Sequence, residues 1–581
     1  MSKKSFIKGA GILAISGLIV KVIGAVFRIP LMNIIGAEGI GLYQMAYPIY
    51  AFLLVASTAG LPVAISKMVS QELALGNHYG GYKIFRISRR LLTILGVVTS
   101  IILLASSGLI SQIQGNPKSI YGLMAISPAL FFVSIMSAYR GYFQGMHVMH
   151  PTALSQIVEQ LGKLIMGLTL AKLWLPRGPE FAAAGAILGV TLSEVAAMAL
   201  LLGIYRRERG TILHNARLTY RTHTQTHSRD IIYKLIGIAV PVTIGASIMP
   251  LVNMSDQIIV VNRLAPIIDK ISNVPYNLEE FMEFATKNGA KISEGLTLAQ
   301  IPTLMPQMYG EFTKTLATRL YGVLTGGVNT LINFPAVLTI ALAMSLVPAI
   351  SESHALNDIK EVANKSTLGI RLTLLVGVPA AIGLGVLAGP ILRALYPNGL
   401  AEWELIYGQE LLITLCVGVV FLTLVQSLTA ILQGVGRIGI PVRNLLIGAL
   451  FKIVITFILV GSVEWNIQGA AIGTVACYGV AAILNFIAVV RYAGVGFSFG
   501  DFIVKPAISS GVMGLGVYYS YDLILGKTGR SITSLGTAIL IGVVIYIAML
   551  LVTKSINEED LKVLPKGKTI AKFLNRLGLL R

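Results

Sequence analysis

The chain has 581 residues, of which 55% are hydrophobic and only 12% charged. So apolar a composition excludes a water-soluble globule of this length and reads as an all-α, polytopic membrane protein. A formal net charge of +20 would suggest nucleic acid in a soluble protein; here the Lys and Arg residues gather in alternate loops, the pattern that sets membrane orientation, so no nucleic-acid partner is expected.

The apolar runs predict about fourteen transmembrane helices. The first six fall near 6–35, 42–75, 90–112, 120–145, 152–174 and 181–205. A basic linker, 206–234, separates them from spans near 231–262, 316–351, 367–394, 405–434, 438–461, 467–491, 502–525 and 531–553. The first segment is too long for a removable signal peptide and lacks a small-residue cleavage site. Lys3, Lys4 and Lys8, then Lys83, Arg86, Arg89 and Arg90, then Arg206, Arg207 and Arg209 fall on one face in this count. That face is read as cytoplasmic and holds both termini.

The implied organisation is an N-lobe at 1–205, the linker, a C-lobe at 235–492 with an external loop at 263–315, two further spans at 493–554, and a basic amphipathic tail at 555–581. In the external loop Asn277 and Glu280 form a capping box, with Phe281, Met282 and Ala285 on one face and Gly289 as a stop, which predicts a short helix. In the tail Ile570, Phe573, Leu574 and Leu577 share a face opposite Lys572 and Arg576, suited to an interfacial helix.

Charged residues inside apolar spans are the candidate working groups, since a cation at the bilayer centre costs about 2.5–3.5 kcal/mol. In the first span Gly17, Lys21, Gly24 and Arg28 recur at i, i+4, i+7 and i+11 and share one stripe. Arg28, just before Pro30, can also snorkel to the interface. Span five carries Gln156, Glu159, Gln160 and Lys163 on one face, read either as a cavity lining or as a self-paired Glu159–Lys163 ion pair. Span seven carries Asp256 and Arg263, two turns apart; Asp256 reads as a coupling-ion ligand or as the partner of a buried cation. Span eight carries Asn329 and Asn333.

An internal repeat relates the two halves. Leu61-Pro62-Val63-Ala64-Ile65-Ser66 is echoed by Val347-Pro348-Ala349-Ile350-Ser351, Phe143-Gln144-Gly145 by Leu432-Gln433-Gly434, and Gly185-Ala186 by Gly469-Ala470. Lys163 then pairs with Lys452, while Gly448 stands where Glu159 does. Six spans plus six, in parallel orientation, would place a substrate path between the halves. Cys416 and Cys477 lie in apolar runs, so neither a disulfide nor a zinc site is indicated. Neither a phosphate-binding loop nor an HExxH pair occurs, so no enzyme activity, metal or cofactor is expected.

The stretch Val20-Lys21-Val22-Ile23-Gly24 with Arg28, Ile35-Gly36-Ala37, Leu61 to Ser66, and Phe334-Pro335 leading to Leu346 to Ser351 resemble the polysaccharide-exporter branch of the multidrug/oligosaccharidyl-lipid/polysaccharide superfamily. Within it the chain is similar to the stage V sporulation protein B family and the MurJ-type lipid II flippases. The resemblance, over about 6–492, implies a V-shaped pair of six-helix lobes around a cationic cavity that opens alternately to either face of a bacterial plasma membrane. The implied cargo is a lipid-linked sugar pyrophosphate, with membrane lipids and cell-wall synthesis proteins as further partners. Lys21 and Arg28 match cavity-lining basic positions, with Lys replacing the more usual Arg. The stretch near Pro48 and the position at Asn329 are uncharged where those flippases tend to carry arginine, which leaves room for a related undecaprenyl-linked saccharide. The rival expectations are an ion-coupled multidrug exporter, which would favour acidic cavity residues, and a non-transporting scaffold, which needs no buried charges.

Overall fold

The computed structural model describes residues 3–220, 227–290, 297–496 and 500–555, and among these every regular element is helical. Two compact units form, 1–326 and 327–581. The first holds α1 (Lys3–Thr58), α2 (Leu61–Ala74), α3 (His78–Ile113), α4 (Ile120–Gly145), α5 (His150–Trp174), α6 (Pro179–Thr219), α7 (Ser228–Leu264), α8 (Leu278–Lys287), α9 (Ile301–Leu304) and α10 (Pro306–Gly322). The second holds α11 (Asn329–Ala355), α12 (Ile359–Val386), α13 (Ala388–Leu395), α14 (Glu402–Gly434), α15 (Gly439–Val460), α16 (Gln468–Ala493), α17 (Lys505–Thr528) and α18 (Ser531–Val552).

The expected spans fall in helical segments, with 42–75, 316–351 and 367–394 each covering more than one helix, and 11 helical stretches among the described residues, against the fourteen expected, are long and apolar enough to cross a membrane. The stripe of Gln156, Glu159, Gln160 and Lys163 keeps α5 out of that set, and serine, tyrosine and glycine content keeps α17 out. The first two expected spans run together as one stretch, Ser16–Ala74. Large apolar side chains stay exposed along these helices, as Phe451, Val454 and Phe457 do on α15. Such a surface is stable only against lipid.

The boundary expected between the first two spans falls at Gly36, where α1 folds back on itself, but the second span, 42–75, is not unbroken: α2 is a separate helix after a break near Gly60. The ring centroids of Phe27 and Tyr43 are 6.3 Å apart, where an unbroken helix would separate these positions by about 24 Å. Gly36 makes the corner with φ 67 and ψ −178, a region open essentially only to glycine. Much of the linker 206–234 is helical: α6 continues through its arginines to Thr219 and α7 begins at Ser228.

The short helix expected within 263–315 is present as α8. Asn277 caps it, its side chain accepting from the Glu280 backbone N–H at 2.8 Å, and Gly289 follows at φ 76. Its apolar face packs inward, with Phe281 and Phe284 against Phe312 of α10 at 5.6 and 5.4 Å between centroids. The amphipathic tail around Ile570 lies outside the described residues.

The units share a scheme of neighbours. In the first, α4 packs against α2, α3 and α6, and α5 lies along α6; in the second, α14 packs against α11, α12 and α16, and α15 lies along α16. The sequence echoes fall at matching contacts. A Cβ on Gly145 would collide with Val69 of α2, and one on Gly434 with Ile350 of α11, so each glycine admits the helix bearing the Pro62 or Pro348 motif.

Gly36→Ala should destabilise the protein by about 1–3 kcal/mol, because it forces a side chain into a glycine-only conformation. Gly203→Ala, at a helical site with open space around it, should be neutral or stabilising. Thermal unfolding of the two variants in detergent checks the contrast.

Candidate functional site

The cationic stripe of α1 meets the polar stripe of α5. A Cβ on Gly24 would lie 3.5 Å from Gln160 Oε1, while the space around Gly17 is open. Lys21 is exposed, Arg28 is half-buried, and neither has a hydrogen-bond or ion-pair partner among the described residues. Leu18, Val22 and Val26, all exposed, follow one another at i, i+4 and i+8 on the adjoining face of the helix. The stripe therefore runs along the margin between packed protein and an apolar surface.

Lys163 is held by rings. Its Nζ lies 5.0 Å from the centroid of Phe27 and 4.7 Å from that of Tyr47, a geometry in which each ring face attracts the ammonium. Tyr47 in turn stacks on Tyr43 at 5.7 Å. The self-paired alternative does not form: Glu159 accepts from Arg140 Nη2 of α4 at 3.0 Å, and Arg140 Nε also donates to Ser155 Oγ at 3.0 Å. Gln156 and Gln160 are half-buried on the same helix.

Arg140 and Glu194 were not anticipated from the sequence. Glu194, on α6, is 3% exposed; its carboxyl lies close to Glu159, Arg140 and Lys163. Its Oε2 has no hydrogen-bond partner. Two carboxylates and two cations thus gather where α4, α5 and α6 meet the folded-back part of α1. Both residues carried the signal applied to Lys21, a formal charge inside an apolar run: Glu194 sits alone in span six and Arg140 near the end of span four.

The remaining candidates are elsewhere. Asp256, half-buried on α7, lies near Tyr321 of α10, and Arg263 is exposed further along α7. In the second unit Lys452 is 6% exposed and packs on α16, with its Cγ 3.5 Å from where a Cβ on Gly473 would lie. It is engaged inside the unit instead of being presented at a surface. Asn329 is half-buried at the start of α11, and its carbonyl accepts from Asn333 Nδ2 at 2.6 Å.

The first unit therefore holds two kinds of cation. Arg140 is ion-paired with Glu159 and Lys163 is held over aromatic rings, whereas Lys21 and Arg28 have no partner among the described residues and make their stretch of α1 electropositive. An anion is the ligand such a surface selects. Replacing Arg140 by Gln should lower unfolding stability by about 3 kcal/mol, since it strands two carboxylates. Lys163→Gln should cost closer to about 1 kcal/mol, the scale of a cation over rings. Denaturation of both variants in detergent measures the difference.

Residues 6–354 match the family described as polysaccharide biosynthesis protein, and 328–498 match lipid II flippase MurJ. Stage V sporulation protein B of Bacillus subtilis (strain 168) is 27% identical over 575 residues, covering 97% of this chain and 98% of that protein. Among solved structures, lipid II flippase MurJ in an inward closed conformation aligns with a TM-score of 0.64 at 13% identity, over 93% of this chain and 97% of that one. An inward-facing multidrug resistance MATE family transporter of the MOP superfamily aligns with a TM-score of 0.61 at 14% identity, over 82% and 94%. At such identities the structural likenesses establish the polytopic helical fold. The match over most of the first unit and beyond it identifies the lineage: the chain belongs to the polysaccharide biosynthesis protein family.

Proposed function

We propose that the protein is a flippase that exports a lipid-linked saccharide across the bacterial plasma membrane by alternating access. The cargo is an undecaprenyl pyrophosphate-linked cell-wall unit, such as a peptidoglycan precursor or a related polysaccharide unit. The observation that carries the reading is Lys21, a partnerless cation on the stripe with Arg28, bordered by exposed Leu18, Val22 and Val26. A pyrophosphate must shed water to enter a membrane, and fixed cations replace that solvation while an apolar margin keeps the tail in lipid. Lys offers a point charge without the bidentate fork of Arg, which favours release after capture. The names of the relatives support the cargo class: one matched family is the lipid II flippase MurJ, and the full-length relative is a sporulation protein. The division into lobes at 1–205 and 235–492, with 493–554 appended, belongs to the same proposal and draws support from the shared scheme of neighbours. The work is transport, with no covalent step.

A second reading, an ion-coupled multidrug exporter, is favoured by one observation, the buried Glu194 beside Glu159. A cationic drug would seek those carboxylates, yet Arg140 already pairs with Glu159. Proteoliposomes separate the readings: headgroup flipping of a fluorescent lipid-linked saccharide is expected, and efflux of a cationic dye without flipping would replace the first reading by the second.

Lys21→Ala should abolish flipping while the protein stays inserted and abundant, because removing an intramembrane cation relieves an insertion cost. Lys21→Arg should retain activity. A transport-competent Lys21→Ala variant would remove Lys21 from the mechanism.

The orientation makes a separate prediction. Single cysteines at Asn215 and Asn288, in a background lacking Cys416 and Cys477, should label from opposite faces of intact cells, with Asn215 protected from outside. Labelling of both from outside would overturn the assignment of the arginine-rich end of α6 to the cytoplasm.

A further inference from the structure

A recess of about 580 Å³ in the second unit lies where α14 turns into α15 beside the end of α16. Gly436, at φ 78, makes the turn: its N–H donates to the Gln433 carbonyl and that of Arg437 to the Leu432 carbonyl, which swings Arg437 to the rim. Arg437 lies 4.6 Å and Arg491 5.6 Å from the ring centroid of Tyr492, so two guanidiniums crowd one phenol. Arg443 completes the lining, and its Nε and Nη2 reach only Asn444 Oδ1, each at 3.5 Å. No carboxylate pairs with any of the three arginines among the described residues. Beneath them the Asn444 amide donates to Asn485 Oδ1 at 2.9 Å, and Asn485 Nδ2 is a buried donor without a partner.

The fold alone does not demand this charge. The first unit has a recess of about 460 Å³ at the matching turn between α4 and α5 beside α6, and it is lined by His78, His150 and Glu208 without an arginine. Three like charges held together unneutralised are a site for a multiply charged anion. The walls say which kind: Ile438 and Ile487, 62% and 58% exposed, border the arginines. A free anion gains nothing from them, whereas the first carbons of an acyl chain do.

We propose that this recess binds the phosphate headgroup of an anionic bilayer phospholipid. Guanidiniums of Arg437, Arg443 and Arg491 hold the phosphate oxygens, and the chains lie against Ile438 and Ile487. None of the residues lining the recess belongs to the Lys21 stripe.

Binding of cardiolipin and of phosphatidylglycerol to the full-length protein in detergent, measured by native mass spectrometry against phosphatidylcholine, tests the proposal, with inorganic pyrophosphate as the soluble competitor. Arg437→Gln, Arg443→Gln and Arg491→Gln should each weaken cardiolipin binding about fivefold, and the triple variant about a hundredfold. Arg217→Gln, an exposed arginine on α6, should leave it unchanged. All three arginines are exposed, so folding should survive; if the triple variant is unstable, the single variants carry the test. Wild-type affinity in the variants would overturn the proposal. So would displacement of the lipid by equimolar pyrophosphate, which would make the recess a soluble-anion site.

Discussion

Within a bilayer a charge must be answered by a countercharge, by water or by a ligand, and the first unit is arranged around that requirement. Arg140 spans from α4 to Glu159 on α5, and Glu194 enters from α6. Three helices are thereby held in one register by groups that would each be expensive alone. Removing one member leaves the others stranded, so the cluster acts as a single structural unit. Against this balanced interior, Lys21 and Arg28 stand out because no hydrogen-bond or ion-pair partner answers them among the described residues. That leaves their charge free to meet a ligand.

Close helix contact supplies the second support. Hydrophobic association is weak between surfaces that lipid solvates equally well, so dispersion at short range carries more of the load. Gly145 and Gly434 each remove a side chain where another helix must approach, and the second contact gains a hydrogen bond from Ser351 Oγ to the Gly434 carbonyl at 3.1 Å. One packing solution thus serves both units while the charges placed on it diverge. Lys163 rests on aromatic rings and Lys452 is packed on α16, although the two occupy echoed positions.

Much of the fold was legible in the sequence because membrane helices obey a length and hydropathy rule that needs no tertiary context. The α8 cap at Asn277 was legible for a similar reason, since capping is local. The break between α1 and α2 near Gly60 was not, because Gly in an apolar run signals close packing as readily as a corner. The partners of charged residues were also hidden. Spacing pairs Glu159 with Lys163, but Arg140 on another helix wins the carboxylate by offering a guanidinium fork and a second bond to Ser155. Lys452 illustrates the same limit, as its periodicity cannot say whether a stripe faces an opening or α16.

Phe27 and Tyr47, the two rings that hold the Lys163 ammonium, lie on opposite sides of the corner at Gly36. The cation on α5 is consequently a clasp across the fold of α1. If the angle at Gly36 widens, one ring must leave the ammonium, and the freed charge would then be exposed on the helix that carries Gln160 beside Gly24. Bending of the first helix and the electrostatic character of the surface beside it are therefore one mechanical variable, read out by the grip of two aromatic rings on a single ammonium group.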